Sequence, residues 1–268
     1  MLLRATRSGA VAMPSAARTV VWPPNSADGG SGVSCCRCPA ASFVFGGMLL
    51  LVLPGCGPPS GEPAGTIEVK RDTQELSLSA LFHRENAETG TWHLLVHERG
   101  DMASLAYFTT DVTPRAFYDA LRVIGLEAED AVSCTTMGER DVATAGDALE
   151  FLFTWDRGAK QLPLNELLIE VLPPGSEAGR RGLEMRFGGN HTGDDAVDPP
   201  AHRSGCLACL YSCCAGVTSN SRANLALLRS ERNWHRYRIN PRVDLADGTR
   251  VSITVRSKSP VSTRSPDE

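Results

Sequence analysis

Five stretches of this chain place an apolar residue at every second position, and that period restricts the fold more than any other feature. They are Leu76, Leu78, Ala80 and Phe82; Trp92, Leu94 and Val96; Leu149, Phe151, Phe153 and Trp155; Leu183, Met185 and Phe187; and Val251, Ile253 and Val255. Side chains on a strand point alternately to two faces, so each stretch predicts a strand with one buried side. Ser252 and Thr254 supply the wet side of the last one. Antiparallel sheets show such alternation more readily than parallel sheets buried on both faces.

One helix is marked at both ends. Thr113 suits the N-cap, Pro114 suits the first turn, and Val112 can staple onto Phe117. Phe117, Ala120, Leu121 and Ile124 then form one apolar stripe, which Gly125 ends. A second helix is expected over residues 221–231, and the run 164–172 fits helix or strand equally. The reading is an α+β single domain: a mixed or antiparallel sheet with two or three helices. A composition of 42% hydrophobic and 22% charged residues excludes collagen, coiled coil and wholesale disorder. With only 6% aromatic residues the core must be mostly aliphatic.

The apolar run 43–53 has eleven residues, FVFGGMLLLVL. At about 1.5 Å per residue it is too short for a bilayer core of about 30 Å, and it fits the middle of a secretory signal. Leu53-Pro54-Gly55-Cys56 follows and resembles a bacterial lipobox. That would make Cys56 the lipidated first residue of a mature cell-envelope protein, anchored in a membrane and facing the periplasm or the exterior. Residues 1–55 are then signal, in which Cys35, Cys36 and Cys38 carry no function. A start at Val33 would make Arg37 its positive end. Residues 56–65, rich in Gly and Pro, form a tether; 66–258 form the domain; 259–268 form a disordered tail. No arginine pair precedes the apolar run, so the signal is of the general secretory type.

Net charge is −4, which argues against a nucleic-acid binder. The charge is uneven. From Glu62 to Asp198 there are 12 basic and 25 acidic residues, whereas from Arg203 onward there are 11 basic and 5 acidic. Most of the basic excess lies in a stretch that starts at Arg222 and ends at Arg242. Its simplest role is to face the acidic part of the same domain; its functional role would be contact with a protein partner or anionic lipid.

The chemistry is concentrated in Cys206, Cys209, Cys213 and Cys214, with Cys134 alone upstream. A C-x2-C turn lets two sulfurs meet on one metal ion, and a third cysteine a few residues on can reach the same centre. Cys134, His191 or His202 could supply a distal fourth ligand. Three states remain open for these thiols. Disulfides suit an oxidising compartment, although five cysteines leave one over. Zinc or another metal would use thiolates completed by a histidine. A 4Fe-4S cluster would serve electron transfer, but it would need export in a folded chain. His93 and His97 lie four apart on an expected strand and share a face. They read as solvent-side residues opposite Trp92, Leu94 and Val96, with a metal pair as the sharper alternative.

The domain resembles the YdjY-domain family of bacterial envelope proteins, often labelled ferredoxin-like. The resemblance covers roughly residues 66–256. It rests on Thr110-Asp111-Val112-Thr113-Pro114, Phe117-Tyr118-Asp119-Ala120-Leu121 with Gly125, and Phe187-Gly188-Gly189-Asn190. It rests further on Gly205-Cys206, Cys209, Ser212-Cys213, Gly216 and Ser219-Asn220. It implies an exported domain of unassigned activity whose motif suggests metal or cluster binding. Cys214 departs from the pattern, since members tend to carry Pro there; an extra thiol offers competing ligation or a disulfide.

The common nucleotide, hydrolase and zinc-protease signatures are absent from the sequence, and no catalytic residue is named. The expected function is therefore a lipid-anchored binding or interaction module whose C-x2-C-x3-C-C loop is held by disulfide or metal. The alternative is an iron–sulfur electron-transfer protein using the same loop.

Overall fold

The computed structural model describes residues 18–21, 66–129, 132–139, 141–171, 182–190, 203–224 and 237–258. Cys56 and its tether, His191, His202, most of the expected second helix and the C-terminal tail lie outside the described residues. In chain order the strands are β1 (Arg18–Val21), β2 (Thr66–Lys70), β3 (Glu75–Phe82), β4 (His93–His97), β5 (Ala106–Thr110), β6 (Ala148–Trp155) and β7 (Lys160–Pro163). They continue as β8 (Leu168–Glu170), β9 (Met185–Phe187), β10 (Cys206–Cys209), β11 (Thr218–Asn220), β12 (Tyr237–Ile239) and β13 (Arg250–Ser257). Among the described residues three short α-helices accompany them: α1 (Arg84–Thr89), α2 (Pro114–Val123) and α3 (Leu164–Leu167).

Eight strands close on themselves. The order runs β3-β13-β6-β9-β11-β10-β4-β5, and β5 pairs again with β3. Pairs β10–β11 and β4–β5 are parallel, and the remaining neighbours are antiparallel. β3 can serve two neighbours on one side because it is long. Its first half pairs with β2 and its last two residues with β5. β1 extends the sheet beyond β2, β7 pairs with β6, and β8 with β12 makes a separate ribbon.

This corrects the α+β expectation. The protein is mostly β, a closed eight-stranded barrel with three short helices. The expected strands form, although β4 buries Leu94, Leu95 and Val96 in succession, with Val96 in a separate cluster. In β3, β6, β9 and β13 the apolar face turns into the barrel and meets the other strands there. No helical layer is needed to cover it, and closure removes the exposed edges of an open sheet. The ambiguous run 164–172 divides between one helical turn and a three-residue strand. Of the expected second helix, the described part (221–224) is turn and irregular chain.

The interior alternates as its strands do. β3 buries Leu76, Leu78, Ala80 and Phe82; β6 buries Leu149, Phe151, Phe153 and Trp155; β13 buries Val251, Ile253 and Val255. Phe108 bridges the layers, with its ring 5.4 Å from Phe82 and 5.2 Å from Phe153. α2 adds Phe117, Ala120 and Leu121 to this core. Its N-terminus is closed as the sequence predicts, since the Thr113 hydroxyl accepts the Ala116 amide at 3.2 Å. A second, smaller apolar cluster holds Val96, Ala106, Cys206 and Cys209, with Met102, Ala103 and Cys213 packed on it. That cluster places the cysteines.

Candidate metal centre

A C-x2-C pair on a regular strand would point to opposite faces, because the side-chain period is two. β10 avoids this by irregular pairing with β4. Cys206 faces Val96, Ala208 faces Leu95 and Cys209 faces His93, with a register shift in each interval. Such bulges re-aim side chains. Here they send Leu207 and Ala208 to the main core while Cys206 and Cys209 share the smaller cluster. The turn before β10 is fixed by a close approach of two glycines. A side chain on Gly100 would meet Gly205 Cα at 2.6 Å, and the Gly205 carbonyl accepts the His97 amide at 2.7 Å.

The result is three ligand atoms in one place. A ring nitrogen of His93, Cys206 Sγ and Cys209 Sγ all lie within 4.8 Å of one another. His93 Nδ1 is 3.2 Å from Cys206 Sγ, and the Cys209 thiol hydrogen-bonds to both Cys206 and Cys213. The electrostatics divide the group. A hydrogen bond from Cys209 holds the Cys206 thiol well below its usual range; burial opposes this, while the hydrogen bond and charge of His93 assist it. The sharing of its one S–H proton with Cys206 and Cys213, followed by burial, pushes the Cys209 thiol well up. Cys213 is lowered by its hydrogen bond from Cys209 against burial. The Ala215 amide also points at its sulfur from 3.3 Å. Burial would lower the His93 pKa, but Cys206 and then Cys213 raise it above the ordinary value. A lowered thiol pKa favours the thiolate, the form in which a cysteine ligates a metal ion.

The loop after β10 is fastened by its own polar residues. Ser212 Oγ donates to the Asn220 carbonyl and accepts the Thr144 amide. The Asn220 side-chain amide donates to the Leu210 carbonyl, and that of Asn190 donates to the Cys213 carbonyl at 2.9 Å. Gly216 passes against the site itself. A Cβ there would lie 2.9 Å from Cys209 Sγ and from Ser219 Oγ, a buried hydroxyl with no partner.

The remaining candidates fall elsewhere. Cys134 and Cys214 are joined in a disulfide across 80 residues of sequence, so neither is a spare ligand. Cys206, Cys209 and Cys213 are free thiols. His191 and His202 lie outside the described residues. His97 accepts the Arg99 amide and stays apart from the cluster. His93, expected on the solvent side or else as a metal pair with His97, joins Cys206 and Cys209 instead, without His97. Of the basic stretch, Arg222 is paired with Glu184 at 2.9 Å and Arg186 binds the same carboxylate; residues 225–236 lie outside the described residues.

The YdjY domain family matches the chain over residues 67–256. The chain belongs to this family. The matched range contains every residue of the thiol site just described, from His93 to Asn220. The chain is also 27% identical over 164 residues to the uncharacterized protein YdjY of Escherichia coli (strain K12). That match covers 61% of this chain and 66% of the relative, just short of two thirds of its length. No solved structure matches. Membership of the YdjY family gives the domain its place but no activity.

Proposed function

We propose that this YdjY-family domain is an exported metal-binding module. A single ion would be held by Cys206, Cys209 and His93, with Cys213 in reach of a fourth position. The observation that carries this is the convergence of three ligand atoms within 4.8 Å. In a tetrahedral site with bonds of about 2.0–2.3 Å, ligand atoms stand roughly 3.5–4 Å apart, so one ion spans this set with little movement. A cubane cluster instead places each thiolate on its own iron, which spreads the sulfurs wider. Three thiolates and an imidazole suit zinc or another borderline-soft ion. The neighbouring disulfide, a bond of oxidising compartments, is consistent with an envelope location and a lipid anchor at Cys56. Three thiols left unpaired beside it are consistent with a metal that protects them.

Anaerobically purified mature protein should carry about one equivalent of metal, without the broad visible absorption of a cluster, and Cys206→Ser should empty it. A metal-free wild type would sink the reading. Stoichiometric iron with inorganic sulfide would replace it with electron transfer. Radiolabelled palmitate should enter the wild type and not Cys56→Ser; equal labelling of both would remove the anchor.

A further inference from the structure

Beside the sulfur cluster lies a half-open cavity of about 540 Å³, within the range of roughly 300–1,000 Å³ usual for small-molecule sites. Cys209, Cys213 and His93 form one end. The walls are Trp92, Tyr211, Met102 and Met137, and Leu105 stands at the rim. Leu105 is 50% exposed and is the large hydrophobic side chain left open to solvent among the described residues.

The polar groups of the wall are already committed to the protein. Asn86 gives its amide to the Ser104 and Ala106 carbonyls, and the Thr89 hydroxyl goes back to the Glu85 carbonyl. Thr91 Oγ1 accepts the His93 amide, and Ser212 Oγ is spent on Thr144 and Asn220. What faces the space is mainly carbon and sulfur. The aromatic wall is also held from behind. Trp92 meets Tyr211 edge to face at 6.3 Å, and Tyr211 packs on the buried Tyr237 at 5.8 Å. A concave apolar surface of fixed shape is poorly solvated, and an occupant that displaces water from it is favoured.

We propose that this cavity binds a small, largely apolar organic molecule of one or two rings, seated between the Trp92–Tyr211 wall and the two methionines. One end of it would rest against the sulfurs of Cys209 and Cys213. Flat aromatic rings suit the Trp92 face, and thioethers contact ring edges favourably. A sugar, nucleotide or free anion would lose its water to a wall that is mainly carbon and sulfur. The cavity needs no metal, so the inference goes beyond the metal reading and stands apart from it.

The test uses the mature full-length protein and the apolar fluorophore N-phenyl-1-naphthylamine. Its emission should rise saturably with one site per chain. Thr89→Trp, which fills the mouth from an α1 side chain bonded only to its own helix, should weaken binding about tenfold or more. Leu105→Arg, which puts a charge at the rim, should weaken it to a similar extent, about tenfold. Both variants should keep the wild-type thermal midpoint and metal content. Emission that never saturates, or wild-type affinity in both folded variants, overturns the proposal. Protein that binds the probe but holds no metal overturns only the metal reading. Protein that holds metal and ignores the probe overturns only this one.

Discussion

Gly216 and Tyr107 show how single side chains set the limits of this domain. A methyl group at Gly216 would press on Cys209 Sγ, Ser219 Oγ and the Thr218 carbonyl, each 2.9 Å away. Something must shift to admit the methyl group, and Cys209 Sγ is one of the three atoms against it. Gly216→Ala should therefore weaken metal binding by about 10- to 100-fold, the range for changes just behind a ligand. Competition with a coloured chelator reads this directly, and unchanged affinity would show that Cys209 keeps its place and the strain is taken up by Ser219 or the backbone. Tyr107 is fully buried, donates its hydroxyl to the Tyr237 carbonyl at 2.8 Å and accepts the Thr91 amide. Burial pushes its pKa up to about 12. The folded state then holds a proton that the unfolded chain loses near pH 10, so this stability is complete below pH 10 and falls as pH rises toward 12. The loss should approach about 1.4 kcal/mol per pH unit in that window. Denaturant melts at pH 8, 10 and 11.5 should show the decline in wild type, and Tyr107→Phe should flatten it.

At the level of strands and helices, the best-read segments are those with a single buried side. β3, β6 and β13 alternate because one face lines the barrel and the other meets solvent or a neighbouring loop. α2 was legible from its cap and stripe. Thr113→Ala should cost about 1 kcal/mol, measured as a shift in the denaturation midpoint with no change in metal content. β10 carries no period because all four of its residues are buried, on both sides. Barrel closure was hidden for another reason. Alternation fixes which face is apolar but not which strand pairs with which, and β13 joins β3 from some 170 residues away. The same limit governs the site. Cys206, Cys209 and Cys213 announce themselves by local spacing. His93 reaches them only through the irregular register of β10 on β4, across 113 residues of sequence. No local pattern separates His93 from a solvent-side residue, because a polar residue between two core positions is what an ordinary half-wet strand shows.

Over the whole molecule, the disulfide and the thiol cluster divide the labour that the sequence had left undivided among five cysteines. Cys134–Cys214 closes a long loop of the chain, its ends separated by 80 positions in sequence. In the chain-entropy account, a cross-link of that span stabilises by about 4 kcal/mol through the unfolded state. It also ties the 132–139 segment, which brings Met137 to the cavity wall, to the residue next to Cys213. Neither of its sulfurs belongs to the ligand group. Replacing both Cys134 and Cys214 with Ser should therefore lower unfolding free energy by about 2–4 kcal/mol and leave metal stoichiometry at the wild-type level below the new midpoint. Cys206→Ser should do the opposite in kind, emptying the centre while the disulfide persists in a non-reducing mass measurement. Measuring stability and metal content on both variants separates the roles. If the double-serine protein folds but arrives without metal, the centre depends on the cross-link, and the division into a structural bond and a chemical site does not hold.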